Sequence, residues 1–475
     1  MAQTTAPETI DRIISRIGIQ STTYWKRMLE TLPPHEIGVV KASGKLLANS
    51  HLNQLAAELA SLASQTGFYL PVLLGGGVDY DALPAYVGSR KVNGLRVTSD
   101  ELIAQMLPIV WANQVRVADA LRGAGIDALA IPLDAVRVKR HALEYDRTLG
   151  ADVDLGYVGD VVSIDTKPII TAIYEQKIPV ISHLGLCPDD RKLYNINATT
   201  LAAELVKVLG AKKLIILGDK PVQDGEQVVR TFFSHRIFEQ MVADGRISGG
   251  MVTNIEEAFG LLKSLGPDHS VQITTLKYQN GGQGSDTTSQ LESTGLLEEL
   301  LGEGSGTKIM IPSPVVAYPL LASAVDMEQL RTMINAAFMH QQRKALRADY
   351  FAMLADKDPT IYLDAGKRGG AVTYPLPAFT GCEYLCKLFT RPDYEGLGVA
   401  ASIMEAVVLQ RGAVAWRSSQ PSRLYESVIR SYGGFEEKSG NYTVYGVGIP
   451  DDKKADVILR VVSIPATLQK VEGTP

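Results

Sequence analysis

Two short segments in the first half of the chain carry glycine at the end of an apolar run, and the first of them also carries lysine. These residues are Lys41 and Gly44 in VVKASGK, and Gly75, Gly76 and Gly77 in LLGGGVD. Glycine lets backbone N–H groups approach an oxyanion closely, and a lysine adds positive charge. Either segment alone is also compatible with a tight turn, but the two together predict an anion or nucleotide site.

A second set of residues, in the last third of the chain, could hold an acidic substrate beside a phosphate group. Lys387 lies in the apolar segment YLCKLF, Arg417 lies in VAWRSS, and Gly396 and Gly398 lie between them in DYEGLG. A strand, a glycine-bearing turn and a helix N-terminus form a pyrophosphate cradle, because unpaired backbone N–H groups point at the anion. Two cations on neighbouring strands would hold a dicarboxylate, since buried cations without partners are costly. An ordinary turn and structural ion pairs are the alternative interpretations.

The elements that must position the first set alternate between strand and helix from Glu36 onwards. This alternation predicts an α/β fold with a mostly parallel sheet between helices, interrupted by a β-hairpin over residues 135–160. Strands are predicted at 37–40, 69–74, 128–131, 180–182, 213–217 and 272–274, and helices at 51–64, 100–121, 198–209, 235–243 and 255–265. A helix over residues 8–31 precedes the first strand and would pack on its own domain or on a neighbouring subunit.

The second set requires a different arrangement, which begins near Asp326 after the segment IPSP. The pattern there predicts an α+β domain of about 150 residues, enough to form its own core. Helices are predicted at 327–338, 343–354, 399–410 and after Pro421, strands near 360–363, 369–374, 381–390 and 413–417, and a terminal hairpin around Gly440 and Asn441.

Composition limits the class of protein. The chain has 475 residues, of which 45% are apolar and 21% charged, as in soluble proteins with substantial cores. A net charge of −5 argues against nucleic acid or an anionic membrane as partner. Three cysteines and no recognisable signal or membrane segment predict a cytoplasmic protein without a disulfide framework. Cys382 and Cys386 lack supporting histidines, so no metal site is expected.

The order of motifs over residues 36–310 resembles the amino-acid kinase family, and specifically acetylglutamate kinase. The matching segments include VVKASGK, LLGGGVDYDAL, VNGLRVTSDE, NINATTLAAELV, GRISGGM and EGSGTKI. The resemblance implies that Arg96, in NGLRV, grips a carboxylate of acetylated glutamate, and that Asn195 belongs to the same ligand site.

Two departures from this family concern the transferred phosphate. The resemblance places an aspartate after the N-x-N-A run and a lysine three residues after GGM, and these positions hold Thr199 and Asn254. Phosphoryl transfer needs fixed positive charge around the moving group. Lys41 and Asp219 remain, but we expect the domain to bind and organise rather than to transfer phosphate.

YLCKLF, EGLGVAASIMEAV and VAWRSS resemble, in this order, the GNAT acetyltransferase domain of vertebrate-like N-acetylglutamate synthases, a family that carries it behind a kinase-like domain. The resemblance implies that Lys387 and Arg417 bind glutamate. It assigns acetyl-CoA to Leu388, Phe389, Glu395, Gly396, Leu397, Gly398 and Val399. The family's asparagine and Trp-Tyr pair after WRSR are replaced by Ser422 and Ser427-Val428 here. Tyr425 and Tyr432 are the nearby phenols that could take over.

These resemblances imply an amino-acid N-acetyltransferase that acetylates glutamate directly from acetyl-CoA. The acceptor amine must be neutral and the departing thiolate needs a proton. Because no histidine follows His340, the remaining proton handlers are a water molecule, Glu383, Tyr384, Cys386, Tyr425 and Tyr432. A bifunctional synthase/kinase, an acetyltransferase for a different amino acid and a non-catalytic amino-acid sensor stay open.

The resemblance also implies regulation and assembly. In arginine-sensitive members the N-terminal helix and the segment ending in G-x-G-T bind arginine, which points to Glu298, Gly304 and Gly306. Glu299 would also suit a guanidinium group, and solvated carboxylates on a helix face are the alternative interpretation of both glutamates. A homo-oligomer, dimer or tetramer, is expected. The predicted domains are an N-terminal helix for assembly or regulation (1–35), a kinase-like domain (36–311), a linker (312–325) and an acetyltransferase domain (326–475).

Overall fold

A computed structural model describes residues 30–76, 78–146, 148–218, 220–232, 234–276, 295–301, 304, 306–320, 325–420 and 422–471. The predicted N-terminal helix over 8–31 lies outside these residues except for its last two positions, and so do Gly77 and Asp219. The described residues form two compact units, which divide between Met310 and Ile311. Each unit is described by itself.

The first unit alternates strands with helices, as the sequence predicts. Its strands are β1 (Gly38–Ala42), β2 (Val72–Leu74), β3 (Lys91–Val92), β4 (Leu95–Arg96), β5 (Ala128–Ala130), β6 (Val136–Arg140), β7 (Glu144–Asp146), β8 (Ala151–Val153), β9 (Gly159–Ile164), β10 (Ile178–Ile181), β11 (Leu184–Leu186), β12 (Leu193–Asn195), β13 (Lys213–Leu217), β14 (Gln223–Asp224), β15 (Gln227–Val228), β16 (Thr231–Phe232), β17 (Ser270–Thr274) and β18 (Thr307–Ile309). Its helices are α1 (Asn49–Thr66), α2 (Pro84–Val87), α3 (Asp100–Gly123), α4 (Lys167–Tyr174), α5 (Ala198–Leu209), α6 (His235–Ala243), α7 (Gly250–Leu265) and α8 (Gly295–Leu301).

The main sheet of this unit has the described strand order β16-β18-β17-β13-β1-β2-β10-β5. Its central strands are parallel, and the register pairs Lys41 with Ile216 of β13 and with Leu73 of β2. Such strands are covered on both faces, which agrees with the burial of every residue of β13, where all residues after Lys213 are apolar. Parallel strands end at the same edge, so the segments after β1 and β2 meet there.

The region predicted as one hairpin is a separate small sheet. It has the described order β12-β11-β6-β9, and β7 pairs with β8 as a short hairpin of its own. Its longest pairing joins β6 to β9 in antiparallel register. The alternating runs over 135–160 therefore do form strands, but strands from later in the chain complete the sheet.

The second unit is an α+β domain. Its strands are β19 (Val315–Pro319), β20 (Lys344–Leu346), β21 (Thr360–Asp364), β22 (Gly369–Pro375), β23 (Cys382–Thr390), β24 (Ala413–Ser418), β25 (Gly434–Ser439), β26 (Tyr442–Val447) and β27 (Leu468–Lys470). Its helices are α9 (Met327–Gln342), α10 (Tyr350–Ala355), α11 (Val399–Arg411), α12 (Arg423–Tyr432) and α13 (Asp451–Ser463).

The main sheet of the second unit has the described order β19-β21-β22-β23-β24-β26-β25, and its neighbours are antiparallel except for β23 and β24. Residues 315–319, predicted as part of a linker, form its edge strand and pair with β21. The predicted helix over 343–354 is also corrected, because its first residues form β20 and only Tyr350–Ala355 is helical. β20 pairs with β27, so the C-terminal residues return to the domain.

Candidate active site and kinase-type ligand site

The central feature of the second unit is a wedge between β23 and β24. These parallel strands pair only where Cys382–Tyr384 meets Ala413–Ala415. Beyond these residues β23 continues along β22, and β24 continues along β26. Lys387 and Arg417 follow the last paired residues on the two sides of the wedge.

Lys387 is buried and held by its own strand and by the C-terminal residues. Its ammonium group donates to the Cys386 carbonyl oxygen at 3.0 Å and to the Thr467 hydroxyl. It lies 3.7 Å from the Cys386 sulfur and 5.3 Å from the centre of the Tyr350 ring. Burial lowers the pKa of Lys387, and Arg417 adds to this effect, whereas Cys386 opposes it.

A β-bulge accounts for the position of Cys386. Val372 pairs with Lys387 and Thr373 pairs with Leu385, so Cys386 is the extra residue on β23. A bulge re-aims the side chains that follow it.

Arg417 is attached to the end of the last helix. Its guanidinium group donates to the carbonyl oxygens of Val461 at 2.9 Å, Val462 at 2.7 Å and Ile464 at 2.5 Å. It also lies over the ring of Tyr442, 4.3 Å from its centre. A cation at a helix C-terminus satisfies carbonyl groups that have no partner in the helix. Three of its five N–H groups are used in this way, which leaves two for a ligand.

The glycine-bearing turn leads directly into α11. Gly396 and Gly398 have φ values of 89° and 72°, in the left-handed region that favours glycine. Gly398 immediately precedes α11, which begins at Val399. The N–H groups in the first turn of a helix have no partner within the helix. Asp393, which would repel a phosphate, forms an ion pair with Arg391 at 3.3 Å.

The remaining residues assigned to acetyl-CoA lie on β23 and in this turn. Leu388 is half-buried, and the buried Phe389 packs so closely that a Cβ at Gly370 would lie 2.6 Å from its ring. Leu397 is buried. Glu395 is also buried, accepts from Gln341 at 2.9 Å and lies 3.8 Å from the His340 ring nitrogen. Burial raises the pKa of Glu395. The contact with His340 shows that the last histidine of the chain does reach the turn.

The two tyrosines predicted from α12 have different surroundings. Tyr425 packs against Trp416 and Tyr445, and burial raises the pKa of its phenol to about 12. The Tyr432 hydroxyl donates to the Glu405 carboxylate of α11 at 3.0 Å.

A third phenol stands at the base of the wedge. Tyr384 is the last paired residue of β23, and it interacts electrostatically with Cys386, Arg417 and Tyr442. Burial raises the pKa of Tyr384 well above its ordinary value, so the hydroxyl keeps its proton. The sequence offered Tyr384 only as one of several proton handlers.

In the first unit, Lys41 and the glycines lie at the same edge of the main sheet. The Gly75 N–H donates to the Ala42 carbonyl oxygen at 2.9 Å, and a Cβ at Gly75 would lie 3.4 Å from the Gly44 nitrogen. The two glycine segments therefore meet. A Cβ at Gly76 would lie 2.5 Å from the Tyr80 ring, so Gly76 is also required for packing.

Tyr80 is fixed by a buried histidine behind the glycines. The Nδ1 atom of His183 faces the Leu74 carbonyl oxygen at 3.1 Å and must carry hydrogen, so Nε2 accepts from the Tyr80 hydroxyl at 3.1 Å. Burial lowers the pKa of His183 to about 4 and keeps it neutral.

Arg96 and Asn195 are brought together by Thr98. The Thr98 hydroxyl donates to the Arg96 carbonyl oxygen at 2.8 Å and accepts from the Asn195 amide at 3.3 Å. The Arg96 guanidinium donates to the carbonyl oxygens of Tyr86 at 2.8 Å and Ser89 at 3.0 Å and lies over the Tyr86 ring. Two carbonyl contacts position this cation without neutralising it.

The two residues that depart from the kinase pattern, Thr199 and Asn254, contact each other. Thr199 at the start of α5 and Asn254 at the start of α7 form a hydrogen bond of 3.3 Å. Glu257, one turn further along α7, accepts from Thr200 at 3.3 Å and interacts electrostatically with Lys41. Burial lowers the pKa of Lys41 and raises that of Glu257. A neutral pair and a carboxyl group thus stand where the resemblance places phosphate-binding charge.

The glycines predicted to bind arginine pack against Glu299. A Cβ at Gly304 would overlap the Glu299 carboxylate, and the Gly306 N–H donates to it at 3.0 Å. Gln272 and Thr274 also donate to this buried carboxylate, at 2.5 and 2.8 Å. Glu298, the other carboxylate considered from the sequence, is its half-buried neighbour.

Within the part of the chain that the structure describes, histidine, cysteine and acidic residues form no cluster suited to a metal ion. No helix among the described residues combines the length and apolarity needed to cross a bilayer.

The fold and the wedge define the class of protein: a kinase-type α/β domain followed along the chain by an N-acetyltransferase domain. Residues 317–458 match NAT, the N-acetyltransferase of N-acetylglutamate synthase, and residues 36–275 match the amino acid kinase family. The chain belongs to the amino acid kinase family and carries an acetyltransferase domain of the N-acetylglutamate synthase type.

Individual relatives agree with this assignment. Acetylglutamate kinase of Caldicellulosiruptor bescii is 31% identical over 235 residues, which are 47% of this chain and 78% of the kinase. The structure of N-acetylglutamate synthase from Neisseria gonorrhoeae with coenzyme A and N-acetyl-glutamate has a TM-score of 0.55 and 18% identity, over 91% of this chain and 98% of that one. Its complex with coenzyme A and L-arginine has a TM-score of 0.52 and 18% identity, over 90% and 97%. These likenesses confirm the predicted fold of both units.

Proposed function

We propose that this chain acetylates the amine of L-glutamate with acetyl-CoA, releasing N-acetylglutamate and CoA. The observation that carries the proposal is the placement of Lys387 and Arg417 on the two sides of the wedge, beside the turn that enters α11. A dicarboxylate has the charge that two cations on facing strands require. The relative from Neisseria gonorrhoeae is a synthase whose structure contains coenzyme A and N-acetyl-glutamate.

Acetyl-CoA would bind along β23 and at the start of α11. The N–H groups of the turn at Gly396 and Gly398 and of the first turn of α11 would receive the pyrophosphate, because a helix N-terminus favours an anion. Leu388 and Phe389 lie on the part of β23 that has separated from β24. The thioester would thereby be directed towards the wedge.

The transfer would be direct. The neutral amine of glutamate attacks the thioester carbonyl, the C–N bond forms, and the C–S bond breaks as the tetrahedral intermediate collapses. The amine loses one proton and the departing thiolate gains one. Tyr384 is the candidate hydrogen-bond donor to the departing thiolate, since its hydroxyl stays protonated at neutral pH and interacts electrostatically with Cys386 and Arg417.

The test is the release of thiol from acetyl-CoA across a panel of amino acids, with the product identified by its mass. We expect glutamate to stimulate release far more than glutamine or aspartate. If no amino acid stimulates release, the chain is an amino-acid sensor rather than an enzyme, and the proposal is wrong.

We also propose that the kinase-type domain does not transfer phosphate. The hydrogen bond between Thr199 and Asn254 supports this proposal, since neither side chain supplies charge to a phosphoryl group. A bifunctional synthase/kinase is the second candidate, favoured by the identity to acetylglutamate kinase. Formation of ADP from ATP and Mg²⁺ that depends on acetylglutamate would establish the second candidate.

Arginine is our proposed effector of the first unit, with Glu299 as its carboxylate partner beside Gly304 and Gly306. A relative has been solved with L-arginine. We expect arginine to raise the melting temperature of the wild type and of Glu298→Gln, but not of Glu299→Gln. Light scattering at micromolar concentration would test the proposed homo-oligomer, and a monomer would contradict it.

A further inference from the structure

The C-terminal segment, residues 461–470, connects the two cations of the wedge. It begins at the carbonyl groups that receive hydrogen bonds from Arg417 and ends in β27. Between these points Thr467 contacts the Lys387 ammonium. Residues 459–475 lie beyond the part that matches the acetyltransferase family, which ends at residue 458.

Backbone contacts hold this segment in place. The Thr467 carbonyl oxygen accepts from the Arg347 N–H at 3.2 Å, and the next three residues pair with β20. At the other end, Arg417 donates to three carbonyl groups. The Thr467 hydroxyl is therefore not needed to anchor the segment.

The contact between Lys387 and Thr467 leaves hydrogen-bond donors available. The ammonium group donates to the Cys386 carbonyl oxygen, to the Thr467 oxygen and, at 3.7 Å, to the Cys386 sulfur. Sulfur is a weak acceptor, so a carboxylate oxygen can take its place on the third N–H. Because the Thr467 oxygen accepts from Lys387, its own O–H remains a donor, and no acceptor for it is recorded among the described residues. An N–H and an O–H on touching groups suit the two oxygens of one carboxylate.

We propose that Thr467 determines acceptor specificity by binding, together with Lys387, one carboxylate of the acceptor amino acid. This inference rests on the proposed function and deepens it, because it adds a residue of the C-terminal segment to the acceptor site. Arg417 would have two roles: it holds the segment through three carbonyl groups and offers its remaining N–H groups to the second carboxylate.

The test compares Thr467→Val, which removes the hydroxyl at nearly constant shape, with Thr467→Ser, which keeps it. We expect Thr467→Val to raise the KM for glutamate about ten- to one-hundredfold, the loss expected for one hydrogen bond to a charged group. The values of kcat and of KM for acetyl-CoA should stay within about twofold, because the rest of the segment keeps its anchors. Thr467→Ser should restore the KM for glutamate.

Gln469→Ala is the matched control, since Gln469 is exposed on β27 and pairs through its backbone with Ala345. It should leave all constants unchanged. An unchanged KM for glutamate in Thr467→Val, with an active wild type, would overturn the assignment of Thr467 alone. A lower kcat together with higher KM values for both substrates and a lower melting temperature would also overturn it, because that pattern indicates a structural role. An inactive wild type would instead contradict the proposed function.

Discussion

Each unit carries a lysine on a buried strand next to a glycine-bearing turn, but the two lysines have different surroundings. Lys387 donates to a carbonyl oxygen and a hydroxyl group and stands opposite a second cation. For Lys41, no hydrogen bond or ion pair with another described residue is recorded, and its electrostatic partner is Glu257. Burial lowers the pKa of both groups.

The difference supports the proposal that the first unit keeps the fold of a kinase without its phosphotransfer chemistry. The strands and glycine turns around Lys41 depend on apolar packing and on the backbone, and these are retained. Thr199 and Asn254 satisfy each other instead of a ligand. At the wedge, by contrast, Arg417 keeps two N–H groups available and the third N–H of Lys387 meets only the weakly accepting Cys386 sulfur, so charge is still directed at a ligand.

The largest expected effect separates the two lysines. Lys387→Met should lower kcat/KM for glutamate about one-hundred- to one-thousandfold, because it leaves a substrate carboxylate in a buried site without its cation. Lys41→Met is the matched control and should leave acetyl transfer within about twofold of the wild type. Steady-state kinetics with both substrates would check this. A comparable loss in Lys41→Met would show that the units do not divide the work as proposed.

The pH dependence of dicarboxylate binding should show the lowered pKa of Lys387. Only the charged ammonium attracts a carboxylate, so affinity should fall as pH rises through this pKa, which lies below the ordinary 10.5. Glutarate, which has no amine to titrate, is the appropriate competitive inhibitor. Its Ki should be constant at low pH and increase about tenfold per pH unit above the pKa.

The KM for acetyl-CoA over the same pH range is the internal control, since Lys387 is not assigned to that substrate. Lys387→Arg carries a charge that persists to high pH and should flatten the Ki profile. A wild-type Ki for glutarate that stays level up to the ordinary lysine range would contradict the burial argument.

In the first unit, a double-mutant cycle would test the neutral pair. Thr199→Asp and Asn254→Lys should each destabilise the domain, because each places one uncompensated charge in a half-buried contact. The double variant restores opposite charges and should be less destabilised than the sum, by about 1–3 kcal/mol. Urea unfolding would measure the coupling. Strictly additive effects would mean that the two positions do not interact.

Much of this arrangement could be predicted from local sequence. Helix α5 occupies its predicted bounds because Asn197 accepts from the Thr199 N–H at 2.8 Å and Gly210 ends the helix with a φ of 69°. The strand β13 was equally clear as a short apolar run. Lys387, Arg417 and the turn before α11 were all predicted as neighbours of one site.

Other features depend on contacts that are remote in sequence. Strand β19 was predicted as a linker because it follows the proline-containing segment IPSP, yet an edge strand tolerates proline and β19 itself ends in Pro319. Thr467 has no local signal, since its contact with Lys387 joins residues 80 positions apart. The sequence offered Glu298 and Glu299 equally for arginine, and only the fold separates them, since Glu299 is buried and Glu298 is half-buried on α8.

The smallest expected effects come from a matched pair of glycine substitutions, one in each unit. In Gly76→Ala the new Cβ would meet the Tyr80 ring, which His183 holds in place, so the cost should appear as stability, about 1–3 kcal/mol. In Gly398→Ala the left-handed φ of 72° costs about 1–2 kcal/mol, at the residue that directs N–H groups towards the proposed pyrophosphate. The KM of Gly398→Ala for acetyl-CoA should therefore rise several-fold, while its KM for glutamate changes little.

Gly76→Ala should lower the melting temperature and leave both KM values unchanged, because the turn at Gly76 retains the shape of a phosphate site but takes no part in acetyl transfer. If Gly76→Ala altered the KM for acetyl-CoA, the first unit would contribute directly to the acetyltransferase site. The proposal that only Lys387, and not Lys41, serves acetyl transfer would then be wrong.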